Sequence, residues 1–212
     1  AIRSGAWFGA ESRKCFAFLK DANFDLICLR PAPVSQTSQR NFDAFNFMTE
    51  QPTLKPIHSG VRIGHVHLKV AELERALGFY RDVLGFEVMQ RYGKQAVFLS
   101  AGGYHHHIGL NTWESAGGSP PPPGTTGLYH VAILYPTRAL LADALRRLIA
   151  ANIELDGAAD HGVSEALYLR DPDGNGVELY WDRPPEQWPR DAKGELAMFT
   201  RALDLSELLK EA

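Results

Sequence analysis

Apolar and polar positions along this chain follow one order of periods, and that order occurs twice. Val61 to Val70 alternates as a strand does, and Glu72 to Leu84 carries apolar residues at Leu73, Ala76, Leu77, Tyr80 and Leu84, a helical stripe. Gly85 follows as a helix-ending glycine. Phe86 to Tyr92, Ala96 to Ala101 and His105 to Trp113 then read as three strands, with Gly102-Gly103 turning the last pair. The second pass begins with a strand over Leu128 to Tyr135 and a helix over Arg138 to Ala151, whose apolar side holds Leu141, Leu145, Leu148 and Ile149. A looser strand around Ile153 to Leu155 comes next, then Ser164 to Arg170 and Gly176 to Trp181. Asp171-Pro172-Asp173-Gly174 is a strong turn signal between the last two.

This order predicts an α+β fold of two tandem βαβββ modules, residues 57–117 and 128–184. Between them, residues 118–127 include Pro120 to Pro123, a stiff spacer that is neither helix nor central strand. A tail over 185–212 ends in Leu203-Asp204-Leu205-Ser206-Glu207-Leu208-Leu209, read as one short helix packed on the body. Residues 1–56 show no sustained period, and Gln36 to Asn41 has linker composition. We expect a poorly ordered N-terminal extension there, with a natural start near Met48. Glu11, Asp21, Asp25 and Asp43 make it too acidic for a transit peptide, and it lacks the order of a secretory signal.

Composition removes several functions. With a net charge of -3 over 212 residues, the chain has no basic field with which to bind nucleic acid. No apolar run approaches a membrane span. The two cysteines, Cys15 and Cys28, lie upstream of the repeat; they give no disulfide framework and suit a cytoplasmic location.

The candidate chemistry lies at matching points of the repeat. His65 and His67 share a face in a strand, so period alone does not choose between them. Superposing the repeats does: Gly64-His65-Val66 falls on Tyr129-His130-Val131, and His67 falls on Ala132. Glu178 stands on a strand among apolar residues, where an unpaired carboxylate costs several kcal/mol. A cation held by His65, His130 and Glu178 removes that cost. The blander alternative is a pair of satisfied core histidines and a glutamate paired with arginine.

Several strings carry a family resemblance: Gly64 to Leu68, Phe79 to Phe86 (Phe-Tyr-Arg-Asp-Val-Leu-Gly-Phe), His105 to Asn111, Gly127 to Ala132, and Asp160 to Tyr168. With them the chain resembles the vicinal oxygen chelate superfamily of glyoxalases, bleomycin-resistance proteins and dioxygenases. Within it, the chain is similar to the two-module extradiol catechol 2,3-dioxygenases. The resemblance runs from about Val61 to Pro184 and implies a cupped mixed sheet around one metal site.

A glyoxalase I of this superfamily would be expected to place a fourth ligand, usually a carboxylate, on the last strand of the first module. His105 to Asn111 has no acid. Two histidines and one carboxylate leave open positions, the facial arrangement of non-haem Fe(II) oxygenases. The implied cofactor is Fe(II), with Mn(II) an alternative on the same donors. The implied substrates are catechol, or a substituted catechol, and dioxygen. Cleavage beside the diol would give 2-hydroxymuconate semialdehyde, a step of aromatic hydrocarbon catabolism. The resemblance assigns catalytic roles to His106 (His107 the fallback within the triple histidine), to His161, and to Tyr168, ten positions before Glu178. A metal-dependent lyase, isomerase or thiol transferase on the same scaffold is the alternative enzyme, and a metal-free binding module the alternative from outside enzymology. A homo-oligomer is compatible with these features.

Overall fold

The computed structural model describes residues 55–211. The expected N-terminal extension and its start near Met48 lie outside these residues. Residues 57–212 form one unit built from two βαβββ halves.

In the first half, β1 (Val66–Lys69) leads into α1 (Leu73–Leu77), and β2 (Glu87–Tyr92), β3 (Ala96–Ser100) and β4 (Ile108–Asn111) follow. The helix does not remain α-helical throughout. Gly78–Val83 continues it as a wider π-type turn, which lets the adjacent Phe79 and Tyr80 both face the core. Gly85, at φ 88°, then reverses the chain in the left-handed region that glycine adopts without strain. The sheet order is β1-β4-β3-β2, with β1 parallel to β4 and the remaining pairs antiparallel.

The second half repeats this arrangement. β5 (Val131–Leu134), α2 (Arg138–Ala150), β6 (Leu155–Asp160), β7 (Ser164–Arg170) and β8 (Gly176–Asp182) form a sheet in the order β5-β8-β7-β6. The tail adds a fifth strand to it, β9 (Arg201–Ala202), beside β6, before a short helix α3 (Leu205–Leu208). Thr137 caps α2 by accepting a hydrogen bond from the Leu140 amide at 3.2 Å. The expected tail helix is therefore present as α3, preceded by a strand that the apolar pattern does not announce.

Each sheet buries one face beneath its helix. Leu68, Val97, Leu99, Ile108 and Leu110 pack under α1 and its π-type extension, and Leu167, Leu169, Val177 and Leu179 pack with Leu141, Leu145 and Leu148 of α2. The two sets belong to one continuous core. Side chains alternate along a strand, so the residues between these core positions stand on the opposite face. That face carries His67, Phe98 and Gly109 on the first sheet, and Ala132, Tyr168 and Glu178 on the second.

The turn at Asp171–Gly174 joins the halves. Asp171 is buried and accepts the amides of Asp173 and Asn175, both at 2.9 Å, and the Tyr80 hydroxyl at 2.9 Å. Asp173 accepts the Ala71 amide at 2.8 Å and pairs with Arg75 at 2.5 Å. The turn signal in the sequence is thus also the contact through which the second half grips α1.

Candidate metal and substrate site

The two parallel ladders give a register for comparing the halves. His67 pairs with Gly109 across β1 and β4, as Ala132 pairs with Glu178 across β5 and β8. Phe98 faces Gly109 as Tyr168 faces Glu178. His65 and His130 each lie one residue before the first paired position of their strand. The duplicated frame therefore carries a histidine in both halves and a carboxylate in only one. Gly109 stands where the first half would have its glutamate. A Cβ there would meet the His67 ring at 2.8 Å, so glycine lets that imidazole lie across the strand.

On the second sheet four polar side chains form a connected chain. His130 Nε2 is 2.9 Å from Glu178 Oε2, and Glu178 Oε1 accepts from the Tyr168 hydroxyl at 3.2 Å. The same hydroxyl lies 2.7 Å from His161 Nε2. Glu178 is nearly buried, with 12% of its side chain exposed, and its ionic partner among the described residues is His130 rather than an arginine. Burial first, and then the Glu178 charge, push the Tyr168 phenol up to about 12, so it keeps its proton across the neutral range. Tyr129, His130, Tyr168 and Val177 line a cavity of about 190 Å³ at this end of the sheet.

Beyond His161 the environment is ionic. Burial alone would raise the neighbouring Asp160 carboxyl. The hydrogen bond from Arg183 at 2.5 Å, the Gly162 amide and the Arg183 charge outweigh it and hold Asp160 below the usual carboxylate range. Arg183 also reaches the buried Glu165, which Arg138 pairs from α2. These bonds pin the loop that carries His161 to the start of β7.

The first sheet supplies aromatic and imidazole rings. His65 packs on His106 with ring centroids 4.4 Å apart, and His106 packs on Phe98 at 4.9 Å. Trp113 stands edge-on to His67 at 5.2 Å. The strand expected over His105 to Trp113 is shorter, since β4 starts only at Ile108 and the three histidines precede it. Gly102 and Gly103, both at positive φ, keep the preceding segment in a turn. His105 and His106 therefore touch, Nδ1 to Nδ1 at 2.8 Å, instead of facing apart. His107 turns into the hairpin, where its Nδ1 accepts the Ala101 amide at 3.3 Å and meets Ser100 Oγ at 3.1 Å.

Of the residues singled out in the sequence, His130, Glu178, Tyr168 and His161 are thus joined directly, and His65 and His106 form a separate pair. Among the described residues no group of three or more His, Cys, Asp or Glu side chains is gathered closely enough to hold a metal ion. The His130–Glu178 pair does fit one. Two donors about 2.1 Å from a common metal and at right angles to each other lie about 3 Å apart, the separation seen here. The exposed His65 side chain borders a cavity of about 350 Å³ that Val131 to Leu134, the residues after His130, also line. Sequence reasoning missed Phe199 and Thr200, which contact His161 from the tail and lie in no periodic segment.

Two βαβββ halves that turn a shared, unequal set of histidine, tyrosine and carboxylate residues away from their helices define a duplicated α+β protein with one asymmetric polar site. The chain belongs to the Glyoxalase/Bleomycin resistance protein/Dioxygenase superfamily, whose model matches residues 62–179. It is 47% identical over 156 residues to the Catechol-2,3-dioxygenase of Bacillus subtilis (strain 168), covering 74% of this chain and 54% of the relative. It is 38% identical over 122 residues to Biphenyl-2,3-diol 1,2-dioxygenase 3 of Rhodococcus globerulus, covering 57% of this chain and 63% of the relative. The chain thus spans 54% and 63% of the lengths of these two relatives. The crystal structure of a glyoxalase/dioxygenase from Nostoc punctiforme shares the fold at 17% identity, with a TM-score of 0.50, covering 62% of this chain and 100% of that one. Among the described residues no helix is long and apolar enough to cross a membrane.

Proposed function

We propose that this chain is an extradiol ring-cleaving dioxygenase for a catechol, with a divalent metal, Fe(II) or Mn(II), held by His65, His130 and Glu178. The observation that carries this reading is the asymmetry of the duplicated frame. A histidine recurs in both halves, but the carboxylate at Glu178 is answered by Gly109. That donor set leaves positions open for substrate, as a facial triad does, where a fourth protein ligand would close one of them. The names of the two relatives support the substrate class, since catechol and biphenyl-2,3-diol share an arene with two adjacent hydroxyls.

When bound, the metal supplies the chelating centre for both hydroxyl oxygens and for dioxygen, and the route for electrons between them. The protein's share is orientation and proton handling. Tyr168, protonated at neutral pH, donates a hydrogen bond toward a substrate oxygen next to Glu178. His161, with Nε2 2.7 Å from that phenol, takes a proton from the diol side and returns it later. His106, whose ring packs on His65 with centroids 4.4 Å apart, is the second proton carrier. Phe98 and Trp113 add apolar ring surface around His67 and His106. Both atoms of dioxygen enter the product, a 2-hydroxymuconate semialdehyde when the substrate is catechol.

Oxygen uptake by protein loaded anaerobically with Fe(II), followed together with the near-ultraviolet spectrum, tests the reading. The expected result on adding catechol is uptake of one dioxygen for each yellow ring-opened product. A loaded protein that consumes no oxygen with catechol or with a panel of substituted catechols would overturn it in favour of a metal-dependent isomerase or lyase.

A further inference from the structure

We infer that the C-terminal strap, residues 197–202, is a positioning element that fixes the tautomer and the aim of His161. The strap crosses the end of the second sheet. Ala197 donates to the Pro189 carbonyl at 2.9 Å, Phe199 donates to the His161 carbonyl at 3.2 Å, and β9 pairs with β6 at Ala159 and Asp160. The Phe199 ring closes over Gly162, where an added Cβ would lie 2.6 Å from it; Gly162 also has φ of 79°. The Arg201 guanidinium lies over the same ring, 4.3 Å from its centroid. The approach of strap to loop is therefore tight, and glycine makes it so.

At the end of this contact His161 Nδ1 meets two oxygens, the Phe199 carbonyl at 3.2 Å and Thr200 Oγ1 at 3.1 Å. A carbonyl only accepts, so Nδ1 carries the proton. In the neutral ring Nε2 is then the bare nitrogen, and it points at the Tyr168 hydroxyl 2.7 Å away. That hydroxyl has one proton and two acceptors, Nε2 and Glu178 Oε1. By holding the proton on Nδ1, the strap makes Nε2 the basic end that faces the site. Among the described residues the Thr200 hydroxyl hydrogen-bonds His161 and no other member of the polar chain, so it acts through His161.

The catalytic consequence rests on the ring-cleaving reading; the tautomer does not. Long-range proton–nitrogen NMR of the full metal-free chain, recorded above the titration range of the imidazole, reads the tautomer directly. His161→Gln assigns the signal. The expected spectrum has a protonated Nδ1 and a bare Nε2. In Thr200→Val the Nε2-protonated form should gain population, and Thr200→Ser should restore the original spectrum. In Fe(II)-loaded protein Thr200→Val should lower kcat about tenfold, with KM and metal content unchanged. Thr200→Ser should recover it. A wild-type His161 protonated at Nε2, or a Thr200→Val spectrum identical to wild type, overturns the inference. Absence of ring cleavage in every protein would overturn the proposed activity instead, while the spectrum alone still decides the role of the strap.

Discussion

Glu178 is where burial and charge meet most sharply in this site. A carboxylate with 12% of its side chain exposed has to be answered, and its partners are a phenol that keeps its proton and one imidazole nitrogen. The other nitrogen of that ring, His130 Nδ1, is buried without a hydrogen-bond partner among the described residues, so the pair is not a self-sufficient structural bridge. A cation between Nε2 and Oε2 would use both donors at their present separation. His130→Ala and Glu178→Ala should therefore each abolish bound iron or manganese by metal analysis. His65→Ala is the sharper experiment, because His65 touches His106 and not the pair. It should cost as much metal as His130→Ala, and full occupancy in that variant would remove His65 from the ligand set. Tyr168→Phe should retain metal and lower turnover about a hundredfold, since the donor next to Glu178 is lost while the two proposed ligands on its sheet, His130 and Glu178, remain.

Among the elements, those with a strong period and a chemical stop could be read from the sequence almost to the residue. The helix expected over Arg138 to Ala151 is α2, Arg138–Ala150, because Thr137 accepts the Leu140 amide and starts it sharply. Thr137→Ala should lower stability by about 1 kcal/mol and the melting temperature by a few degrees, with the His130–Glu178 pair intact. β7 and the start of β8 also fall where expected, bounded by the Asp171 turn. The first strand was read too long. Alternation continues through Val61 to His65, yet pairing begins only where β4 begins, so four residues form β1. A period in one strand says nothing about where its partner starts. β6 was placed too early for a similar reason: Gly157, Ala158 and Ala159 have no apolar bulk to show a period, and their strand is defined by its neighbours β7 and β9. The widened turn at Gly78–Val83 was equally invisible, since its stripe resembles that of an ordinary helix.

At the scale of the whole molecule, contacts between distant segments decide what a periodic reading leaves open. Tyr168 and Glu178 share a face by simple parity, but Thr200 reaches His161 across 39 positions with no pattern to announce it. The same holds for the tie between halves. Tyr80 read as one more apolar stripe residue, and it is fully buried with its hydroxyl on Asp171, 91 positions away. Burial first, and then the Asp171 charge, push this phenol well above its ordinary value. Below about pH 10 the phenol is protonated in both folded and unfolded chains, and its stabilising bond is fully present. Above that pH the unfolded chain releases the proton first and binds fewer protons than the native one. Stability then falls as pH rises toward the folded value, by up to about 1.4 kcal/mol per pH unit for this one group. Tyr80→Phe should lose about 1–2 kcal/mol at pH 7, because Asp171 Oδ2 loses one of its two donors. Its alkaline limb should be shallower, so the gap to wild type narrows above pH 10. Tyr135, also raised by burial, contributes the same slope to both proteins. Urea denaturation at a series of pH values measures both effects. A gap that stays constant or widens into the alkaline range would mean that Tyr80 joins the two halves by packing alone, with no contribution from its bond to Asp171.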